Sequence, residues 1–258
     1  MVNIVLPIAG RGSRFRQAGF ALPKPLIPVH GRPMIEVVVE NIRPTVSHRF
    51  TFVALEEHLD KLGLRCVLER IAPGCNIVAI SGVTEGAACT VLCARNQINN
   101  DDPVMIANSD QWVRADMDES LSVMTREHAD GLIMTMWADH PKWSYARLNA
   151  KGQVVEVVEK QVVSHHATVG IYNFRVGRDF VRAAERMIEQ NIRVNNEFYV
   201  APVYNQIIAE GANVLTFNLG RVGDGMWGLG TPEDLEAFLK VPLDEKTGSG
   251  AHMIARQG

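Results

Sequence analysis

Leu6-Pro7-Ile8-Ala9-Gly10-Arg11-Gly12-Ser13-Arg14-Phe15 is the stretch whose reading decides the fold. Residues 2–8 form an apolar, β-branched run of strand character, and two glycines one residue apart follow it directly. A strand that empties into a glycine-rich loop lets backbone N–H groups approach an anion, and Arg11 and Arg14 add the charge to neutralise one. Gly10, Arg11, Gly12 and Ser13 are therefore candidate nucleotide-phosphate contacts. The Rossmann fingerprint needs a third glycine where Phe15 stands, and a P-loop needs Gly-Lys-Ser/Thr, so neither motif fits. A tight strand-to-loop turn with solvated arginines is the competing reading of the loop alone.

Working outward, Pro23-Lys24-Pro25 fixes the backbone on both sides of one lysine and limits the entropy lost in aiming its ammonium group. Pro33 suits the first turn of a helix through about residue 42. Strands are expected at 49–55, 76–81 and 104–107, with helices around 57–70 and 86–97 between them. The polar tip Asn108-Ser109-Asp110 closes the third of these strands. Strands at 131–137, 145–149, 154–158 and 168–174 cluster, with the turn Ala150-Lys151-Gly152 between two of them, which predicts an antiparallel hairpin insertion. Helices at 178–189 and 201–209, a strand at 214–218, a glycine-rich loop at 223–230 and a helix at 232–240 complete the pattern. Strands alternating with helices in this way predict an α/β fold, a mostly parallel central sheet flanked by helices.

The chain has 258 residues, 47% hydrophobic and 21% charged, which excludes disordered, collagen-like and coiled-coil classes. With 26 Lys+Arg against 29 Asp+Glu it lacks the basic excess of a general nucleic-acid binder, so no nucleic-acid partner is expected. No stretch approaches the ~20 apolar residues of a membrane span, and no secretory leader is visible, so neither membrane insertion nor secretion is expected. The four cysteines lack zinc-ribbon spacing and read as reduced core residues of a cytoplasmic protein, Cys89 and Cys93 on one helix face. Residues 1–244 are expected to form the functional domain and 245–258 a flexible tail. A homo-oligomer is left open.

Three linked blocks, residues 6–15, Pro23-Lys24-Pro25-Leu26-Ile27-Pro28-Val29 and Gly31-Arg32-Pro33-Met34-Ile35, resemble the signature of the sugar-1-phosphate nucleotidylyltransferases, or NDP-sugar pyrophosphorylases. The resemblance continues in the family's order through Glu85-Gly86-Ala87-Ala88, Ala107-Asn108-Ser109-Asp110, Val158-Glu159-Lys160, Gly170-Ile171-Tyr172, Asn196-Glu197-Phe198-Tyr199 and Trp227-Gly228-Leu229-Gly230-Thr231-Pro232-Glu233-Asp234. No hexapeptide repeat follows Lys240, so the chain resembles the short, single-domain branch.

That resemblance implies a glycosyltransferase-A-like fold. It also implies transfer of a nucleoside monophosphate from an NTP to a sugar 1-phosphate, with release of pyrophosphate, for surface polysaccharide such as capsule or lipopolysaccharide. Arg14 and Lys24 match the family's triphosphate-binding pair, Glu159 its acceptor-sugar contact and Lys160 the residue holding the acceptor phosphate. Asp110 matches its metal-binding aspartate, with Mg²⁺ as the implied cofactor. The resemblance implies that the base is read largely through backbone groups near Ala9–Gly10 and in the 83–86 region, which makes Ala9 and Gly86 nucleotide-binding candidates. The family's second metal ligand is an aspartate before Gly-Thr-Pro, where Gly228 stands here; Asp224 is either a substitute ligand or a turn residue. Trp137, Tyr145, Tyr172 and Glu197 are candidate acceptor contacts, because aromatics with a carboxylate suit a sugar face or a quaternary ammonium. Three alternatives stay open: a cytidylyltransferase for phosphocholine or another non-sugar phosphate, a glycosyltransferase on the same fold, and a nucleotide-binding relative without catalysis.

Overall fold

The computed structural model describes residues 1–243, so the expected tail at 245–258 lies outside the described residues. Thirteen strands occur among them, in chain order β1 (Val2–Pro7), β2 (Pro28–Val29), β3 (Arg32–Pro33), β4 (His48–Leu55), β5 (Asn76–Ile80), β6 (Val104–Ala107), β7 (Gln111–Val113), β8 (Gly131–Trp137), β9 (Ser144–Leu148), β10 (Val154–Glu159), β11 (His166–Phe174), β12 (Val214–Val222) and β13 (Gly225–Gly228). All but the short β2–β3 ribbon join one sheet, ordered β5-β4-β1-β6-β11-β8-β12-β13-β7. The quartet β5-β4-β1-β6 is wholly parallel, and β8 pairs in parallel with β12. Antiparallel β11 joins these two halves, pairing with β6 on one side and β8 on the other. The expected hairpin is β9–β10, which branches from the sheet through the pairing of Ala167 with Tyr145.

Side-chain alternation explains why the sheet is covered on both faces. Along β1, Ile4 and Leu6 pack into one buried cluster with Met34, Val38 and Phe52, while Val5 faces the other with Val91, Ile106 and Phe180. The first cluster is roofed by α2 (Met34–Asn41), α3 (Glu56–Lys61) and α4 (Leu64–Ile71). The second lies under α5 (Ala87–Leu92), α6 (Arg95–Ile98), α8 (Gly177–Glu189) and α9 (Tyr204–Ala209). Strands buried on both faces read as near-continuous apolar runs, as residues 2–6 and 50–55 do apart from the buried Asn3 and Thr51.

The structure corrects several boundaries. The helix expected at 57–70 breaks between α3 and α4 at Gly63, whose φ of +71° is left-handed. The helix expected at 86–97 divides into α5 and α6. Besides the short β2–β3 ribbon, α1 (Ser13–Gln17), α7 (Met117–Arg126) and β7 have no counterpart among the expected elements. The glycine-rich segment at 223–230, expected as a loop, contains β13, which pairs with β7. Cys66 and Cys93 are exposed rather than in the core, and all four cysteines are free thiols.

Candidate active site

The loops after parallel β1 and β6 emerge at the same carboxyl edge of the sheet, where α/β proteins take ligands. After β1 the chain turns at Gly12 and enters α1, and the left-handed φ of +59° there suits glycine. A Cβ on Gly12 would stand 3.1 Å from Lys24 Cβ, so the loop and the Pro-Lys-Pro segment are packed on each other. Pro23 is extended and Lys24 begins a single 3-10 turn, Lys24–Leu26, which holds the lysine as its flanking prolines predict. Its Nζ donates to Asp110 Oδ2 at 2.5 Å, across 86 residues of sequence. Arg11 and Arg14 are exposed beside this pair, and neither forms an ion pair with the described residues. Ala9 is buried beneath the loop, whereas Gly10 and Ser13 face outward.

Next to this loop a cavity of about 390 Å³ opens between the ends of β4 and β5, lined by Arg11, Leu55, Glu56, Glu57, Ser81 and Val83 among others. It lies to the side of Lys24 and Asp110, next to the two stretches expected to face a base. Gly86 has φ +141°, and a Cβ there would stand 2.5 Å from the backbone N of Phe198. Only glycine allows this contact. Around it Phe198 N–H donates to Glu85 O, Ala88 N–H donates to Phe198 O, and Arg193 pairs with Glu85 at 2.5 Å. The base-side loop and the segment that carries Glu197 and Tyr199 are thereby braced.

The second group of side chains gathers at the inner end of the β9–β10 hairpin. Glu159, the last residue of β10, is 9% exposed and accepts a short hydrogen bond from Ser144 Oγ. Burial raises its pKa above the ordinary value, with the Ser144 bond and the Lys160 charge opposing that rise. Lys160 has a left-handed φ of +56°, and its Nζ donates to Tyr199 Oη at 2.5 Å while lying 4.6 Å from that ring's centroid. Glu197 stands near both, since its charge acts on Tyr199 and on Glu159. Asn195 and Asn196 have positive φ between the bridged Val194 and Glu197, a tight turn for which asparagine is suited. Tyr172 hydrogen-bonds Thr168 at 3.0 Å, and its phenol is pushed up by burial first and by Glu159, with a smaller push from Asp110.

Three expected site residues fall elsewhere. Tyr145 has no exposed surface and donates its hydroxyl to His140 O, so it supports the hairpin from below rather than lining an open pocket. Trp137 is half-exposed, but its ring is already taken up, stacked on His165 at 5.0 Å and under the Arg221 guanidinium. Asp224 precedes β13 at the end opposite Asp110, because Gly228 pairs with Gln111 and Met226 with Val113. About four strand residues, roughly 13 Å, separate it from the Asp110 end. Its carboxylate is 82% exposed and paired with Arg114, which excludes it as a ligand to an ion on Asp110. Ser144 and Thr168, the polar partners that hold Glu159 and Tyr172, were not anticipated; a lone serine or threonine in a strand carries no signal until its cross-strand neighbour is known.

Among the described residues no group of three or more His, Cys, Asp and Glu could hold a metal. Asp110 does suit a hard divalent ion that takes most of its oxygens from phosphate and water. Its Oδ2 lies over Gly230, where a Cβ would approach to 3.0 Å, and this glycine leaves the space open.

Comparison with known proteins gives a consistent answer. The family model described as "Nucleotidyl transferase" matches residues 3–228. The bifunctional protein GlmU of Thermotoga maritima is 27% identical over 76% of this chain and 42% of its own length. The low-salt glycan biosynthesis nucleotidyltransferase Agl11 of Haloferax volcanii is 22% identical over 94% of this chain and 66% of its own. The chain thus spans about two fifths to two thirds of the length of these curated relatives. Among solved structures, a nucleoside-diphosphate-sugar pyrophosphorylase from Vibrio cholerae shares the fold with a TM-score of 0.79 and 24% identity, covering 92% of this chain and 100% of that one.

Proposed function

The chain belongs to the nucleotidyl transferase family, and on that premise we propose that it transfers a nucleoside monophosphate from an NTP to a sugar 1-phosphate. The acceptor phosphate oxygen forms a bond to the α-phosphorus, the bond to the β-phosphate oxygen breaks, and pyrophosphate leaves. The observation that carries this reading is the pair of charged groups the fold builds: Lys24 held on Asp110 beside the glycine loop with Arg11 and Arg14, and the buried Glu159 next to Lys160 at the hairpin. Cations at a glycine loop suit a triphosphate, because the transferring and departing phosphates carry most of the developing charge. On the other side, Glu159 would accept from a sugar hydroxyl and Lys160 would hold the acceptor phosphate in line.

Mg²⁺ belongs to this proposal, with Asp110 to hold it; when bound it would neutralise triphosphate charge. Lys24 then supplies a second positive charge at the same phosphates, and α1, only five residues long, adds little. The cavity beside Arg11 is the proposed place for the base. A cytoplasmic setting, where NTPs are made, goes with this reading; among the described residues no helix is long and apolar enough to cross a membrane. Surface polysaccharide synthesis is the proposed use, supported by the glycan role in the name of the Haloferax relative.

Phosphocholine is the second acceptor to test, since the Tyr199 ring already carries a cation at 4.6 Å. The deciding experiment is pyrophosphate release with Mg²⁺, scanning CTP, UTP, GTP, dTTP and ATP against hexose and heptose 1-phosphates and phosphocholine. One productive pair with a sugar 1-phosphate is the expected result. Release with phosphocholine alone would replace the sugar reading. Silence with every pair, together with no rise in melting temperature on adding any NTP, would end the nucleotidyl-transfer reading.

A further inference from the structure

Gly228 and Gly230 are alternate residues at the end of β13, and the side chain between them, Leu229, is fully buried. Neither glycine has a side chain to fill the space beside it, and a different carboxylate stands next to each. A Cβ on Gly230 would meet Asp110 Oδ2 at 3.0 Å, and a Cβ on Gly228 would meet the Asp234 carboxylate, Cγ at 3.2 Å and Oδ2 at 3.3 Å. Two carboxylates from separate elements, the β6–β7 turn and the first turn of α10 (Pro232–Leu239), therefore stand over successive open positions of one strand end. Asp110 is bonded to Lys24, whereas no basic side chain among the described residues pairs with Asp234. The helix N-cap bond joins the Asp234 backbone N–H to Thr231 Oγ1 and leaves the carboxylate unused by the cap.

We propose that Asp234 is the second protein carboxylate for the divalent ion on Asp110, supplied by α10 across the side-chain-free face of Gly228. A hard divalent ion bound to a triphosphate takes one or two carboxylates, and here the two come from separate elements that meet at the same strand end. Gly228 and Asp234 are one device, because the carboxylate from the helix fills the space that a side chain at 228 would need.

This inference rests on the nucleotidyl-transfer reading, and its test separates the two. Mn²⁺ binding is followed by loss of the free-ion paramagnetic resonance signal, with CTP and UTP each present, and nucleotide binding is measured in parallel with EDTA. Asp234→Asn is expected to weaken Mn²⁺ binding about tenfold or more while nucleotide binding in EDTA stays unchanged. The double variant Gly228→Asp with Asp234→Ala, which returns the carboxylate to the strand, is expected to recover most of that loss. Recovery distinguishes ligation from a helix-end charge effect, which a carboxylate at 228 would not restore. Unchanged Mn²⁺ affinity in Asp234→Asn, with Asp110→Asn abolishing it, would overturn this inference alone. Absence of both Mn²⁺ and nucleotide binding in the unaltered protein would overturn the underlying function as well.

Discussion

The two sides of the site are built by opposite means. On the proposed triphosphate side the charges are presented: Arg11 and Arg14 stand exposed and without an ion pair among the described residues, and a single lysine, fixed by its flanking prolines, holds Asp110. On the proposed acceptor side the charges are paired, and one of them, Glu159, is enclosed. Glu159 is bonded to Ser144, Tyr172 to Thr168 and Lys160 to Tyr199, so each has a partner before any substrate arrives. Exposed cations keep their strength for a ligand that brings several negative charges, and a flexible arginine loses little by waiting in water. A buried carboxylate with a fixed partner reads a neutral hydroxyl by geometry instead. On the proposed function, one side serves strength of attraction and the other discrimination.

The largest expected effect tests the first half of that contrast. Lys24→Ala should lower kcat by about 10²–10³, the loss typical of removing one group aimed at developing charge, with an unchanged melting temperature; near-normal turnover would show the lysine to be a counter-ion of Asp110 only. Gly86→Ala comes next, because its Cβ would fall within 2.5 Å of the Phe198 backbone at a φ of +141°. It should cost roughly 1–3 kcal/mol in urea unfolding and raise KM for both substrates, and a stable, fully active variant would mean that the brace between the two sides is dispensable.

Glu159→Gln probes the enclosed side through pH. Burial raises the folded pKa of Glu159 above its ordinary 4.5, so the protonated form is the one the fold favours. Stability linked to this group is fully present below pH 4.5 and is lost as pH rises through the folded value. Urea unfolding of the unaltered protein should accordingly lose stability over that interval relative to Glu159→Gln, while the variant shows a higher KM for the acceptor and a nearly unchanged KM for the NTP. Parallel pH curves would remove the buried carboxylate from the comparison. The smallest effect belongs to Asp224→Ala, expected within about 0.5 kcal/mol in stability and without change in metal titration, as for an exposed ion pair.

Legibility in the sequence followed the same division. The triphosphate side is local, with glycines, arginines and a Pro-Lys-Pro step within 25 residues, and each of these acts through its own backbone, so order in the chain was enough to see them together. The acceptor side depends on pairings such as Glu159 with Ser144 and Tyr172 with Thr168, whose register no short motif encodes. Tyr145 and Asp224 show the cost of that gap: residue type suggested a ligand contact for both, and burial under the hairpin or position at the wrong end of β13 excluded it. The missed strand β13 has a related cause. Its glycines were read as turn formers, yet a Cβ on Gly225 would lie 2.7 Å from the Leu219 carbonyl carbon, so this glycine serves close strand packing rather than a loop.

The central place of antiparallel β11 has a consequence for how the chain is made. A ribosome delivers the parallel quartet β5-β4-β1-β6 once residue 107 has emerged, yet the free edge of β6 is closed only when residues 171–174 arrive. For more than sixty residues of synthesis, Val104–Ala107, four consecutive buried positions, is an unpaired apolar edge open to other chains. Slow translation or a destabilised hairpin between those points would raise aggregation without touching a single substrate-binding group, so yield on expression and activity per folded molecule report on different parts of this sheet.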